Sequence, residues 1–209
     1  MPRIFLVELV ILEGLNITSV LLAAGMSQRM NGVNKLLVNI NGKPLIRRVA
    51  ETYLKSLAKN LLIVTGFEES QVRNALVGLP VKFVHNAEYK EGLSSSISAG
   101  IKAASFNTEG VLIALGDMPL ILENTVNTIV ENFQQSNRQF VFRPLFRGAQ
   151  GHPVLWPKVY FSELLGLTGD QGAQSLLDRF PTRLKLIEVD DSGILQDFDK
   201  FQDIKKLKI

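Results

Sequence analysis

The sequence predicts an α/β protein, a three-layer Rossmann-like arrangement around a mainly parallel sheet with a small inserted substrate-binding element. Two observations carry the class. Short β-branched apolar runs alternate with amphipathic segments of helical length, the rhythm of βαβ units. No internal repeat, low-complexity tract or proline-rich linker breaks that rhythm. A third observation places a ligand: the small, polar segments 24–35, 65–66 and 116–119 all follow predicted strands, and open α/β sheets bind beyond the carboxyl ends of their strands.

In chain order, the apolar run 17–23 predicts the first strand, and 44–57 a helix whose Pro44 suits the first turn, where a missing N–H costs nothing. Strand 60–65, helix 68–77 and strand 81–85 follow. Helix 94–104 opens on Ser94, a good N-cap. Strand 110–115 and helix 123–135 come next, then strands 139–143 and 153–155. Between and around these last two the rhythm loosens, since 142–156 holds two prolines and several polar residues, and we read it as the inserted element. Helix 158–164 and helix 170–179, with Asp170 as N-cap, lead to strand 183–188 and helix 200–206. The expected organisation is one domain over 17–209, preceded by an extension at 1–16 that could be an extra strand, a partner contact or an upstream start.

Composition removes several classes. The chain has 209 residues, 46% hydrophobic and 21% charged, the profile of an ordinary globular protein. With no cysteine and only two histidines, disulfides, thiolate metal sites and cysteine nucleophiles are excluded, so a metal must rest on oxygen ligands. Net charge is +3, and no Lys/Arg run interleaves with aromatics, which argues against nucleic acid. The run at 4–12 carries Glu8 and is too short to span a bilayer. The expectation is a cytoplasmic protein with no membrane partner.

The densest chemistry lies in LLAAGMSQRMNGVNKLL, residues 21–37. Leu22, Ala23, Ala24 and Gly25 end a strand in bare backbone, and Ser27, Arg29 and Lys35 add donors suited to phosphate. Glycine lets a ligand approach the main chain, and successive N–H groups form anion-binding concavities. Arg29 can fork onto two phosphate oxygens, whereas Lys35 acts as a point charge. Neither the Walker A pattern nor the dinucleotide Gly-x-Gly-x-x-Gly occurs. At GDMP, 116–119, Asp117 is either the end of a strand turn or an oxygen ligand for a divalent ion on a polyphosphate.

These residues resemble the nucleotidyltransferases that activate small phosphorylated molecules, above all the molybdenum cofactor cytidylyltransferase-like branch of the MobA/MocA-like NTP transferases. The likeness continues through NGKPLIRRV, NAEYKEGLSSSISAGIKAA, VLIALGDMPLI, GHPVLW, LTGDQGAQSLL and QDFDKFQDI, in the family's order, over about residues 17–206. It implies Mg²⁺, or Mn²⁺ in its place, on Asp117 with Asp199 or Asp197. QDFDKFQD departs from the family there, since Lys200 and Phe201 replace Thr and Pro. The likeness places Lys35 on the triphosphate, and Thr65, Asn86, Gly92 and Ser96 with the nucleotide. It places Gly151, His152, Asp170, Gln171 and Gln174 around the acceptor. His152 reads equally well as a buried histidine steering a turn.

By this resemblance the chain transfers CMP from CTP to a phosphorylated pterin-type acceptor, molybdopterin or molybdenum cofactor, and releases pyrophosphate. A molybdoenzyme or its chaperone is the implied protein partner. Guanylyl transfer and a sugar- or polyol-phosphate acceptor remain open. The departure at 200–201 favours a third alternative, a non-catalytic nucleotide-binding or cofactor-insertion protein. Cytidine over guanosine rests on Ala24, where the guanylyl branch tends to have glycine.

Overall fold

The computed structural model describes residues 16–27, 33–170 and 172–198. Strand β1 (Ile17–Ala23) is followed by a two-strand hairpin, β2 (Asn39–Ile40) and β3 (Lys43–Pro44), and by helix α1 (Leu45–Lys55). Then come β4 (Asn60–Thr65), α2 (Glu69–Ala75), β5 (Lys82–His85), α3 (Leu93–Ala103), β6 (Gly110–Leu115) and α4 (Glu123–Gln135). The last third holds β7 (Val141–Phe146), β8 (Ala149–Gln150), β9 (Val154–Pro157), α5 (Phe161–Leu165), α6 (Gln174–Arg179) and β10 (Leu184–Glu188). Among these helices none is long and apolar enough to cross a membrane.

The central sheet has the order β10-β7-β9-β6-β1-β4-β5, with β8 paired to β7. Strands β5, β4, β1 and β6 run parallel, β9 lies antiparallel between β6 and β7, and β8 pairs antiparallel with β7. All seven residues of β1 are buried, as expected of a parallel strand covered on both faces. Its side chains alternate between two cores: Leu21 and Ala23 pack with α1 and α4 residues such as Leu45, Val49 and Ile129. Val20 and Leu22 pack on the other face with Ile97, Trp156 and Leu177. Helix α1 buries Leu45, Ile46, Val49, Ala50 and Tyr53, one helical stripe. Gly100 lets α3 lie flat on the sheet, since a Cβ there would run into Val20 and approach Val64 Cγ2 to 3.2 Å.

Five expectations are corrected. The stretch 142–156 is no insertion: β7 and β9 belong to the main sheet, and Val154, Leu155 and Trp156 are buried in it. Its prolines fit because Pro144 occupies a register position opposite Ile187 and Pro153 stands just before β9. Pro44 lies in β3 with extended backbone and only precedes α1. Helix α3 begins at Leu93 after Gly92, so Ser94 is not its N-cap. Helix α6 begins at Gln174, and Asp170 caps α3 instead, accepting from Leu93 N at 3.1 Å. The segment 158–164 divides into a 3₁₀ turn (Lys158–Tyr160) and α5. The predicted helix 200–206 lies outside the described residues.

Candidate active site

The chain leaves β1 for β4 and β5 on one side, then crosses to β6 on the other. That change of direction opens a crevice beyond the carboxyl ends of β1 and β6. A cleft of about 640 Å³ lies there, lined by Leu22, Ala24, Gly25, Ser27, Lys35 and Asp117 on one side and by Gly92, Ser96 and Asp170 on the other. Ala23 also lines it.

Its loops are fixed from beneath. Leu36 is buried, and the Asn34 side chain accepts from its N–H at 3.1 Å, so the 3₁₀ turn Lys35–Leu37 is anchored in the core and Lys35 is held at the rim. The Ser27 hydroxyl accepts from Lys35 N at 3.1 Å and closes the loop across its undescribed centre. Gly25 stands clear, with nothing within 4 Å of where a Cβ would be, which leaves main chain open to a ligand. Opposite, buried Met118 and the Phe198 N–H, which donates to Asp117 O at 3.1 Å, hold Asp117 in place.

Lys35 Nζ donates to Asp117 Oδ2 at 2.5 Å, with both side chains largely shielded. Asp117 Oδ1 is buried and has no hydrogen-bond partner among the described residues. A carboxylate oxygen shielded from water with lone pairs unmet is well suited to a cation, so Asp117 fits a divalent metal. Asp197 is exposed and does not line the cleft, although its neighbour Phe198 is the residue bonded to Asp117. Among the described residues no three acidic or histidine side chains form a metal cluster. Asp199 and Arg29 lie outside the described residues, as does Gln171.

The other nucleotide candidates divide. Gly92 has φ +105, and a Cβ there would come to 2.8 Å from Gly169 O; it permits both the left-handed turn and the close seat of 169–170 on α3. Ser96 lines the cleft. Asn86 is buried and donates to Ser95 Oγ and Ser96 Oγ at 2.9 and 3.0 Å, fixing the start of α3 rather than lining the cleft. Thr65 is fully buried, its hydroxyl turned to Glu69 Oε1 and Val84 O.

Of the acceptor candidates, His152 and Gln174 line a second, smaller pocket beside the cleft, together with Arg143 and Trp156. Gly151 packs tightly: a Cβ there would run into the Ile194 carbonyl, and its own carbonyl accepts from Arg143 Nε at 2.9 Å. Burial, then the Arg143 guanidinium, hold the His152 imidazole down at about 4, against a smaller opposing pull from Asp117. Burial likewise lowers Arg143, with Asp178 opposing.

Three residues escaped the sequence reading. Arg143 carried one signal, since it stands two positions from Val141, which faces the second core, so both lie on one sheet face. Trp156 carried no signal beyond its place at the end of the 142–156 stretch. Asp191 carried none: its buried carboxylate accepts from Leu122 N, Thr125 Oγ1 and Gly193 N at 2.9, 2.6 and 2.9 Å, tying the start of α4 to the turn before Phe198.

The chain matches the MobA-like NTP transferase domain over residues 19–185. It is 31% identical over 195 residues to the purine catabolism protein PucB of Bacillus subtilis, covering 86% of this chain and 90% of that one. It is 28% identical to nicotine blue oxidoreductase of Paenarthrobacter nicotinovorans, covering 91% and 96%. Among solved structures, a nucleotidyl transferase from Methanothermobacter thermautotroptrophicus superposes with a TM-score of 0.78 at 26% identity, over 90% of this chain and 94% of that one.

Proposed function

Because the chain belongs to the MobA-like NTP transferase family, a family of nucleotidyltransferases, we propose that its cleft transfers CMP from CTP to a phosphorylated, pterin-type acceptor with release of pyrophosphate. The observation that carries this reading is the Lys35–Asp117 pair at the carboxyl ends of β1 and β6: a cation for a polyphosphate beside a carboxylate with an unmet oxygen.

An acceptor phosphate oxygen forms a bond to the α-phosphorus while the bond to the β-phosphate oxygen breaks and pyrophosphate leaves with that electron pair. The acceptor is already anionic, so no protein nucleophile is required, and the chain contributes positioning and charge. Lys35 exchanges Asp117 for the triphosphate, and Arg29 joins it there. Gly25 and Ser27 bring the loop backbone against the phosphates. Ser96 and Gly92 border the nucleotide on the α3 side. Asp117, with Asp199 or Asp197, would hold Mg²⁺ or Mn²⁺, which supplies charge stabilisation for the leaving pyrophosphate. Asp170 and Gln174 flank the acceptor beside His152.

Cytidine is favoured by Ala24, which lines the cleft where the guanylyl branch tends to have glycine. The test is pyrophosphate release from each nucleoside triphosphate with candidate acceptors and Mg²⁺. CTP-dependent release is expected; no release with any triphosphate removes the reading. A second reading, redox chemistry on the same fold, is favoured by the name of the nicotine blue relative. It predicts electron transfer without pyrophosphate, and the same assay separates the two.

A further inference from the structure

We infer that residues 9–12 of the N-terminal extension dock on an exposed apolar surface, formed by Phe106 and Val159, at the end of the sheet opposite the cleft. Phe106 is 89% exposed and Val159 66%. Lys158 brings them together: its Nζ donates to Phe106 O at 2.7 Å and lies 4.8 Å from the centroid of the Phe106 ring, and Val159 is the next residue. A cation bonded to the carbonyl and attracted to the ring holds Phe106 in one position, yet leaves most of it in water. Helix α3, which ends just before Phe106, and α5, which begins just after Val159, pack side by side. Apolar side chains exposed singly need no explanation. A pinned pair beside the point where an apolar segment enters the sheet does.

Connectivity selects the occupant. The Asn16 N–H, just before β1, donates to Glu109 Oε2 at 3.2 Å, and the Asn16 carbonyl accepts from Glu109 N at 2.9 Å. The Glu109 carbonyl accepts from Lys158 N at 2.9 Å. Glu109 therefore ties the entry of β1 to both parts of the surface, since Phe106 precedes it by three positions and Val159 follows its bonded partner. Three residues span at most about 10 Å and the four from Leu12 to Asn16 about 13 Å, so the extension reaches the surface without crossing the sheet. The sequence supplies matching chemistry: Leu9, Val10, Ile11 and Leu12 are apolar, and Glu8 is the one charge in 4–12. With 9–12 on Phe106 and Val159, Glu8 falls beside the Lys158 ammonium, a match that orients the segment more than it stabilises it. Leu122, 51% exposed, lies past the carboxyl end of β6, and reaching it would take an extended path along a whole strand, about 20 Å.

The test is nuclear Overhauser contact in the full chain with labelled Leu, Ile and Val methyl groups. The expected result is cross-peaks from the methyls of 9–12 to the Phe106 ring and to the Val159 methyls, unchanged on dilution. Phe106→Ser combined with Val159→Ser should abolish them and move the methyls of 9–12 to the shifts of unfolded chain. Both positions are exposed, so the fold should persist, and unmoved signals from the buried Leu21 and Val49 check that it does. Absence of cross-peaks to Phe106 and Val159, cross-peaks to Leu122 in their place, or methyl shifts of 9–12 untouched by the double variant overturns the docking. So do cross-peaks that appear only between labelled and unlabelled chains in an isotope-filtered experiment, since they would put the segment on a second copy. The wild-type contacts decide the matter even if the double variant fails to fold. The surface lies away from the cleft, and the outcome stands whether or not pyrophosphate is released.

Discussion

Lys35 Nζ and Asp117 Oδ2 stand 2.5 Å apart, although 82 positions separate them in the chain. The pair joins the loop after β1 to the turn after β6. It also sets up a competition, because Lys35 cannot turn fully to a polyphosphate while it neutralises Asp117.

Asp117→Asn should therefore have two opposite effects. Turnover should fall roughly a thousandfold, as expected when several kcal/mol of charge stabilisation are lost. Metal-free triphosphate should bind more tightly than to the wild type, because the Asp117 carboxylate no longer competes with it for Lys35. Steady-state rates at saturating Mg²⁺ and calorimetry in chelator check both. Wild-type turnover removes the metal assignment.

Lys35→Ala should weaken triphosphate binding by about 10- to 150-fold, the worth of a charge-assisted hydrogen bond, and should weaken monophosphate much less. Equilibrium binding of CTP and CMP to wild type and variant measures this. Equal losses for the two nucleotides would place Lys35 away from the polyphosphate.

Ala24→Gly tests base choice. The wild type should show the higher kcat/KM with CTP, and the variant should relax that preference toward GTP by about 10- to 200-fold, the range for one methyl in a pocket. Parallel kinetics with both triphosphates decide it. A wild type preferring GTP removes the cytidylyl reading, and an unchanged ratio removes the steric explanation.

Asp191→Ala should cost about 2 to 4 kcal/mol, since it strands one buried and one part-buried N–H group and a buried hydroxyl bonded to a carboxylate. Asp191→Asn keeps an acceptor oxygen and should cost less. Urea denaturation of the three proteins gives the values; a loss below about 0.5 kcal/mol for the alanine variant contradicts a role as anchor.

His152 predicts a pH dependence. Its folded value of about 4 lies below the ordinary 6.5, so the unfolded chain binds the extra proton first. The stabilisation is complete above pH 6.5 and is lost as pH falls toward 4, by an amount on the order of 3 kcal/mol at most. His152→Gln should flatten that part of the stability profile. A variant with the wild-type slope between pH 4 and 6.5 assigns the effect elsewhere.

The sequence by itself determined the α/β class, the bounds of β1, β4 and β6, and the loop and turn that meet in the cleft, because these rest on local signals. An apolar β-branched run ending in small residues reads as a strand that reaches a ligand wherever it sits in the chain. Tertiary structure decided what depends on distant partners. Asp170 reads locally as the cap of its own helix, yet it serves Leu93, 77 positions away, since a free N–H at a helix start donates to whichever carboxylate packs against it. Segment 142–156 looks irregular in isolation and becomes two strands only when β6 offers β9 an edge to pair with. Trp156 reads only as the end of that stretch, and the assembled sheet buries its N–H with no partner among the described residues, because whether a buried polar group is satisfied depends on all its neighbours.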